Sequence, residues 1–222
     1  MHSGLEENGY AIVKSFLDMG ELHSLLHCCE PVSARYGVRN LLGRLPDIRG
    51  ALFNSKLNNL LAGLGYSGAT PVRSLFFNKN HAHNWLVPWH QDLSIAVNQK
   101  ADVAEYSKWT CKDDTYYVEP PVEILESILT LRFALDGADE NNGALRVIPG
   151  SHLLGKLNSE KIQSLQRDKI SISCNVQAGD LLLMKPLLLH SSSKAAKPSN
   201  RRVIHLELSS KRLPAPITWV ER

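Results

Sequence analysis

The spacing of hydrophobic positions changes near residue 65 of the chain. Before it, apolar residues recur at the i, i+3, i+4, i+7 spacing of an amphipathic helix, at Leu22, Leu25, Leu26 and Cys29. A second stretch with helical spacing covers residues 48–61 and ends near Gly63 and Gly65, where glycine can form the left-handed cap of a helix. Apart from a short extended stretch at residues 10–13, the first 65 residues are therefore predicted to be helical.

From Pro71 onward, the apolar runs are short and lie between Asn, Gly, Pro and Asp residues, which predicts strands joined by turns. Residues 170–176 alternate strictly between apolar and polar side chains, which is the period of a half-buried strand. Further strands are predicted over residues 181–184, 187–190 and 202–208. The predicted fold class is mainly β with flanking helices, in one domain over residues 1–222 whose helical portion (about 1–65) packs on the β core.

Two segments between the strands have a different character. Residues 158–168 are predicted to form one short helix or an ordered loop. Residues 101–121 are predicted to form a long loop rich in aromatic side chains, among them Trp109. Long loops in compact domains often act as lids over a functional site, so this segment is a candidate lid.

The composition narrows the class of protein. With 43% hydrophobic and 21% charged residues, the chain has the make-up of a globular protein rather than a disordered one. The formal net charge is only +3, and no run of Lys and Arg is long enough for a nucleic-acid or membrane patch. The N-terminal residues lack a signal-peptide pattern, and four cysteines without a Cys-x-x-Cys pair indicate free thiols. We therefore expect a cytoplasmic protein that binds neither nucleic acid nor membrane.

The first candidate metal ligands are a histidine and a carboxylate two residues apart. His90 and Asp92 leave the same face of an extended segment and can reach one ion, although such a pair also arises easily by chance. His190 lies 98 residues after Asp92, at the end of an apolar strand pair, and supplies a second imidazole. Two histidines and one carboxylate on one side of an ion form the facial triad of iron(II) oxygenases, which leaves positions open for oxygen and a co-substrate.

An arginine follows the second histidine. Arg201 lies 11 residues after His190, at the head of a predicted strand. A planar guanidinium binds a carboxylate through two parallel hydrogen bonds, which suits the distal carboxylate of a 2-oxo diacid. Arg202 is the alternative, because only one of two neighbours on a strand points inward. Ser192 can add a hydroxyl donor.

With these residues in place, the chain resembles the phytanoyl-CoA dioxygenase family of iron(II)- and 2-oxoglutarate-dependent oxygenases. The likeness covers most of the chain and rests on segments in the same order: residues 87–92 (VPWHQD), residues 142–152 (NGALRVIPGSH), Gly179-Asp180 leading to His190, and Arg201. The resemblance implies a cupin-like double-stranded β-helix, or jelly roll. It also implies a dioxygenase that hydroxylates a C–H bond of a small organic substrate and releases succinate and CO2.

The resemblance also assigns roles to individual residues. It implies that His90, Asp92 and His190 are the catalytic iron ligands, and it favours Arg201 over Arg202 for the distal carboxylate of 2-oxoglutarate. Further co-substrate contacts that it implies come from Ser192, Lys79, Gln91 and Trp109, with Asn84 as a rival to Trp109. Because Asp92 is present, oxygenation rather than halogenation is implied.

Two other functions stay open at this point. A cupin-like metalloenzyme can use the same barrel without 2-oxoglutarate, and a non-catalytic module can keep the scaffold and bind a ligand through the aromatic segment. Under the leading hypothesis the cofactors are Fe(II) and the co-substrate 2-oxoglutarate, and the partners are O2 and a small-molecule substrate. We expect a monomer. No role is assigned to the remaining candidates His81, His83, His152 and His205.

Overall fold

The computed structural model describes residues 2–196 and 199–221. The α-helices are α1 (His2–Asn8), α2 (Met19–Cys28), α3 (Leu41–Arg44), α4 (Asp47–Leu52), α5 (Ser55–Gly63), α6 (Val122–Glu126) and α7 (Ser159–Asp168). The strands are β1 (Tyr10–Val13), β2 (Gly37–Arg39), β3 (Thr70–Lys79), β4 (Val87–His90), β5 (Ile95–Val97), β6 (Ser107–Lys112), β7 (Thr115–Glu119), β8 (Leu129–Ala134), β9 (Leu145–Val147), β10 (Ile172–Cys174), β11 (Leu181–Met184), β12 (His190–Ser192) and β13 (Arg201–Ser209). Short 3-10 helices lie at Glu30–Val32 and Ser151–Leu154.

The strands form three antiparallel sheets. The main sheet has the order β1-β11-β8-β13-β3-β2, the second has the order β10-β9-β12-β4, and the third has the order β5-β7-β6. One cavity is lined by side chains of both the main and the second sheet, which shows that these two sheets face each other. The arrangement is the predicted double-stranded β-helix with flanking helices.

The N-terminal helices cover the outer face of the main sheet. Ile204 and Leu206 of β13 are fully buried in the same apolar cluster as Leu25 of α2 and Leu57 of α5. Because side chains alternate along a strand, the residues between them point to the inner side, between the two sheets. The central strands therefore carry apolar residues toward the helices and leave their other face for the cavity.

The helical predictions were right in type and partly wrong in extent. The stretch over residues 48–61 is two helices, α4 and α5, because Asn54 starts a new helix and accepts a hydrogen bond from the backbone nitrogen of Leu57 at 3.1 Å. The N-terminal portion also contains β2, which pairs with β3 at the edge of the main sheet. The prediction over residues 158–168 is confirmed as a helix, α7. None of the described helices is long and apolar enough to cross a membrane.

The predicted loop over residues 101–121 is instead largely a β-hairpin. Strands β6 and β7 pair antiparallel and are joined at Asp113 and Asp114, whose φ angles are +49° and +57°. Two successive left-handed residues make a tight turn that matches the twist of the strands. Trp109 packs on the apolar cluster around the fully buried Val118. The segment is therefore a β-hairpin rather than the expected loop.

Two strand predictions were also wrong in extent. The alternation over residues 170–176 yields only β10, the edge strand of its sheet, and Ile170 lies before this strand and is 86% exposed. A strand was expected over residues 187–190, but the chain turns before His190, where the backbone nitrogen of Leu188 donates to the Lys185 carbonyl at 3.1 Å. Strand β12 begins only at His190.

Candidate active site

Three polar side chains converge where β4 and β12 meet. His90 ends β4 and lies directly opposite His190, the first residue of β12. Asp92 follows in the next segment, where its backbone nitrogen donates to the Pro186 carbonyl at 2.9 Å. The Nε2 atom of His90 is 3.6 Å from Asp92 Oδ1, and the Nε2 atom of His190 is 3.8 Å from Asp92 Oδ2. Three potential ligand atoms thus face one point.

Backbone carbonyls orient both imidazoles. Nδ1 of His90 lies 2.8 Å from the Pro88 carbonyl oxygen, and Nδ1 of His190 lies 2.8 Å from that of Leu188. A carbonyl oxygen can only accept a hydrogen bond, so the proton of each neutral ring is on Nδ1. The other ring nitrogen, Nε2, then has a free lone pair, and it is the atom that faces Asp92. Metal-binding histidines are commonly oriented through such a bond on the second ring nitrogen. The donor set therefore fits a divalent metal ion.

The ionisation states of the cluster also suit metal binding. Burial acts to raise the pKa of Asp92, but the imidazoles of His190 and His90 outweigh it and hold that pKa well below its ordinary value. Burial lowers the pKa of His190 to about 4, against the attraction of Asp92. Burial also acts to lower the pKa of His90, which Asp92 nevertheless raises overall. An ionised carboxylate beside a neutral imidazole is the form that ligates a metal.

The cluster lies in the wall of the cavity between the two sheets, which we call the metal cavity and whose volume is about 120 Å³. Arg201 lies in the same wall and is buried, whereas the guanidinium of Arg202 makes two hydrogen bonds of 2.8 Å to Asp136 outside the cavity. Neighbouring residues of a strand point to opposite faces, and β13 turns Arg201 inward. The structure thus brings Arg201, rather than Arg202, to the candidate site.

Arg201 is a buried cation without a counter-ion. Among the described residues no carboxylate forms an ion pair with it, and its Nε is buried without a hydrogen-bond partner. Burial, followed by the positive charge of Arg132, lowers the pKa of Arg201 to about 9. Burying an uncompensated charge is unfavourable, so the position is one that a bound anion would stabilise.

Lys79 and Ser192 lie next to this arginine. Lys79 is the direct partner of Arg201 in the pairing of β3 with β13. Its ammonium donates to Ser192 Oγ and to the Ser193 carbonyl, both at 2.8 Å, while the Ser192 hydroxyl donates to the Gly143 carbonyl at 2.8 Å. Burial, and then the nearby charge of Arg201, lowers the pKa of Lys79 to about 7. A second cationic group therefore stands at the arginine end of the cavity.

The sequence profile of the phytanoyl-CoA dioxygenase (PhyH) family matches residues 5–203, which is most of the chain. The chain belongs to this family. The resemblance drawn from the sequence is thereby confirmed, and this member of the phytanoyl-CoA dioxygenase family is an iron(II)- and 2-oxoglutarate-dependent oxygenase. No curated protein matches its sequence at a significant level.

Solved structures with the same fold match this family member over almost its whole length. AviO1 from Streptomyces viridochromogenes Tue57 has a TM-score of 0.71 at 20% identity, covering 96% of this chain and 95% of AviO1. EctD from S. alaskensis has a TM-score of 0.72 at 17% identity, covering 100% of this chain and 80% of EctD. SnoK, a non-heme alpha ketoglutarate dependent carbocyclase from nogalamycin biosynthesis, has a TM-score of 0.70 at 14% identity, covering 94% and 82%. At these identities the likeness establishes the jelly-roll fold.

Three predicted co-substrate contacts of this family member lie elsewhere in the structure. Gln91 points away from the metal cavity, because it lies between His90 and Asp92 on an extended segment, and its amide bonds to backbone groups of two loops. Trp109 is held in the hairpin β6–β7 and does not line the metal cavity. Asn84 bonds the backbone of Ala195 through both amide atoms and lines a neighbouring cavity instead.

The sequence reasoning assigned no role to four polar residues of the metal cavity, of which it had considered His205 alone: Arg73, Arg132, His205 and Glu207. His205 Nδ1 lies 2.9 Å from Arg132 Nη1, and Arg73 Nη1 donates to Glu207 Oε1 at 3.1 Å. A usable signal was present in β13, since His205 and Glu207 share the inward face with Arg201 at even spacing. His152 lies outside this group, with its Nε2 3.0 Å from the Glu6 carbonyl.

Proposed function

We propose that the chain hydroxylates a C–H bond of a small organic substrate with Fe(II), 2-oxoglutarate and O2. One oxygen atom enters the substrate and the other enters succinate, which leaves together with CO2. His90, Asp92 and His190 hold the iron, and Arg201 binds the distal carboxylate of 2-oxoglutarate. One observation carries this proposal: a single cavity joins a ready three-ligand cluster to a buried arginine that has no counter-ion among the described residues.

When bound, iron and 2-oxoglutarate supply the oxidising chemistry, because decarboxylation of the co-substrate drives the reduction of O2. The share of the chain is to hold and orient these groups. The two imidazoles and the carboxylate would hold the ion, and such a three-residue set leaves coordination positions for other ligands. Arg201 fixes the co-substrate through a bidentate contact to its carboxylate, which gives direction as well as affinity.

Ser192 and Lys79 are proposed to complete the binding of the same carboxylate. Ser192 lines the metal cavity, and Lys79 donates to its hydroxyl oxygen. The Lys79 ammonium thereby holds the hydroxyl beside the proposed position of the co-substrate and adds a positive charge next to Arg201. Both groups are buried, so their interactions with an anion are screened little by solvent.

The test is an anaerobic titration of the protein with Fe(II) and 2-oxoglutarate. We expect a visible metal-to-ligand charge-transfer band when both are present, and succinate formation once oxygen is admitted. The band depends on co-substrate chelation and not on turnover, so it reports on the site even when the true substrate is missing. Absence of the band together with absence of succinate would contradict the proposal.

A cupin-like metalloenzyme that does not use 2-oxoglutarate is the rival enzyme, and a non-catalytic binding module is the rival of another class. Arg201 argues against the first, because a buried guanidinium without a carboxylate partner among the described residues is stabilised when an acid binds. The intact ligand cluster argues against the second, which a protein that stays metal-free after reconstitution would favour. A monomeric and cytoplasmic protein remains our prediction, and the free cysteines fit it.

A further inference from the structure

A second cavity opens beside the metal cavity and has a volume of about 380 Å³. We call it the side cavity. It shares four wall residues with the metal cavity, namely Arg73, Leu75, Phe77 and Trp85. Three of the four come from the inward face of β3, and the fourth precedes β4. A molecule in the side cavity would therefore border the candidate iron site.

Arg73 lies far along β3 from the proposed co-substrate site, although the side cavity itself extends toward that site through Trp85, whose ring centre is 5.3 Å from Lys79 Nζ. Lys79, at the end of the strand, is paired with Arg201, whereas Arg73, six residues earlier, is paired with Glu207. A strand rises about 3.3 Å per residue, so the two positions are roughly 20 Å apart. These two cationic residues of β3 can therefore bind two different ligands at the same time.

Part of the wall of the side cavity is apolar and aromatic. Besides Phe77 and Trp85 it includes Val38 and Tyr36. The ring of Tyr36 lies 6.1 Å from that of Trp85 and is 60% exposed, so it stands where the cavity meets solvent. Aromatic faces of this kind bind flat or aliphatic groups through apolar contact. The walls favour a ligand with a ring or alkyl body.

The volume limits the size of that ligand. Small-molecule sites span roughly 300–1,000 Å³, and the side cavity lies near the lower limit. A compact molecule fits, but a whole coenzyme A thioester does not. The family name therefore does not describe a ligand that this cavity can enclose.

One buried polar atom in these walls lacks a partner in the described part of the chain. Arg73 donates to Glu207 through Nη1, but its Nε has no hydrogen-bond partner there. The other arginine of the side cavity, Arg39, is already paired with Asp113 at 2.8 Å. Arg73 is thus the arginine of the wall that can still donate to an acceptor.

Cationic groups outnumber acids around the metal cavity. Its described wall contains the arginines Arg73, Arg132 and Arg201 and the acids Asp92 and Glu207, and Lys79 adds a further cationic group beside Arg201. Fe(II) and the 2-oxoglutarate dianion together would add no net charge. A ligand with a carboxylate would reduce the remaining positive excess, which a buried site favours.

The geometry points to a compact amphipathic carboxylic acid as the substrate, with its carboxylate on Arg73 and its ring or alkyl body against Phe77 and Trp85. This inference rests on the proposed function, because it places the substrate beside the iron of that site. It names the chemical class that the oxygenase accepts. A planar guanidinium binds a carboxylate through directed, charge-assisted hydrogen bonds, so the uncharged amide of the same acid would bind far more weakly.

The experiment compares acids with their amides. Phenylacetate, phenylbutanoate and octanoate, each with its matching amide, are titrated calorimetrically into protein reconstituted with Zn(II) and 2-oxoglutarate, where no turnover occurs. We expect at least one acid to bind tenfold or more tightly than its amide. No preference for the acid in any of the three pairs would overturn the inference.

Variants then locate the preference. Arg73→Gln alone leaves the buried Glu207 with His205 Nε2, at 3.3 Å, as its remaining partner, so the double change Arg73→Gln with Glu207→Gln is the main variant because it removes both charges together. It should abolish the preference for the acid and leave amide binding unchanged. The control Arg167→Gln removes an exposed positive charge from α7 and should preserve the preference. An undiminished preference in a folded double variant would place the acid elsewhere and overturn the assignment.

The same titrations separate this inference from the proposed function. Binding of 2-oxoglutarate without any added acid tests the proposed function alone. If 2-oxoglutarate binds and no acid is preferred, the substrate class is wrong and the oxygenase assignment stands. If 2-oxoglutarate does not bind, the oxygenase assignment fails and the inference that rests on it fails too.

Discussion

The metal end and the arginine end of the metal cavity differ in how their polar groups are satisfied. At the metal end, His90 and His190 each bond a backbone carbonyl through Nδ1, and Asp92 lies beside both rings. At the arginine end, Arg201 has no carboxylate partner in the part of the chain that the structure describes. Lys79 beside it has only neutral partners there.

The difference shows which polar groups of the cavity already have partners in the protein and which lack them among the described residues. Backbone carbonyls can orient a ligand residue before any metal arrives, which lowers the cost of ordering the site on binding. An arginine without a counter-ion is instead left for a ligand to complete, and the unfavourable burial is relieved only on binding. Changes at the metal end should therefore act on metal binding, and changes at the arginine end on co-substrate binding.

The largest effect is expected from Asp92→Ala. Loss of the carboxylate leaves two ligands out of three, so iron binding and succinate formation should both fall to background. Bound iron after reconstitution and succinate release measure the two. Asp102→Ala, which removes an exposed aspartate, is the matched control and should retain both. Full iron occupancy in Asp92→Ala would show that the metal end has been misassigned.

Arg201→Lys should act at the other end. Lysine keeps the charge but loses the bidentate geometry, and a hydrogen bond to a charged group contributes about 1.5–3 kcal/mol. We therefore expect the Kd for 2-oxoglutarate to rise about 10- to 100-fold while iron binding stays normal. Arg202→Lys, one residue away on the outer face, should leave both unchanged. Equal 2-oxoglutarate affinity in the wild type and Arg201→Lys would refute the role of Arg201.

The pH dependence of 2-oxoglutarate binding sharpens the comparison. The pKa of Lys79 is lowered to about 7 by burial and by the neighbouring cations, and a bound dianion would raise it again. Above pH 7 binding must therefore take up a proton, so affinity should fall as pH rises, by at most about tenfold per pH unit for one proton. Lys79→Met should remove this slope in calorimetric titrations. A wild-type affinity that is flat between pH 7 and 9 would rule out this linkage.

The smallest effect is expected from Gly143→Ala. Gly143 has a φ of +79°, and an added Cβ would lie 2.4 Å from the Ser193 carbonyl oxygen and 3.1 Å from Lys79 Nζ. The change should destabilise the fold by about 1–3 kcal/mol and weaken 2-oxoglutarate binding. Thermal denaturation measures the first effect.

Gly63→Ala is the control for this change, because Gly63 ends α5 with open space around its Cα. It should be neutral, or stabilising by up to about 1 kcal/mol. A Tm for Gly143→Ala equal to that of the wild type would mean that the loop at residue 143 adapts freely.

The candidate ligands could be predicted because their signal is local. His90 and Asp92 are two residues apart on an extended segment, a spacing that fixes their common direction whatever the rest of the fold does. The same rule could not choose between Arg201 and Arg202 without knowing which face of β13 the helices cover. That face is set by contacts with α2 and α5, which are distant in sequence.

The missed and misplaced residues depend on such distant contacts. Arg73 and Arg132 are isolated arginines within largely apolar strands, and only the pairing with β13 places them at the cavity. Trp109 was expected in a loop because the turn at Asp113 contains no glycine, the residue from which a tight hairpin turn is usually predicted. Residues other than glycine rarely adopt positive φ. Gln91 shares the segment of the ligands but not their direction.

Strand β13 carries Arg201 at one end and Glu207, the partner of Arg73, near the other, and it pairs with β3 along this whole length and with β8 from Val203 onward. A strand held on both sides keeps a constant rise per residue. The strand therefore fixes the distance between Arg201, which binds the co-substrate, and Glu207, which holds the substrate-binding Arg73. A relative with a different substrate could exchange the residue at position 73 without moving Arg201.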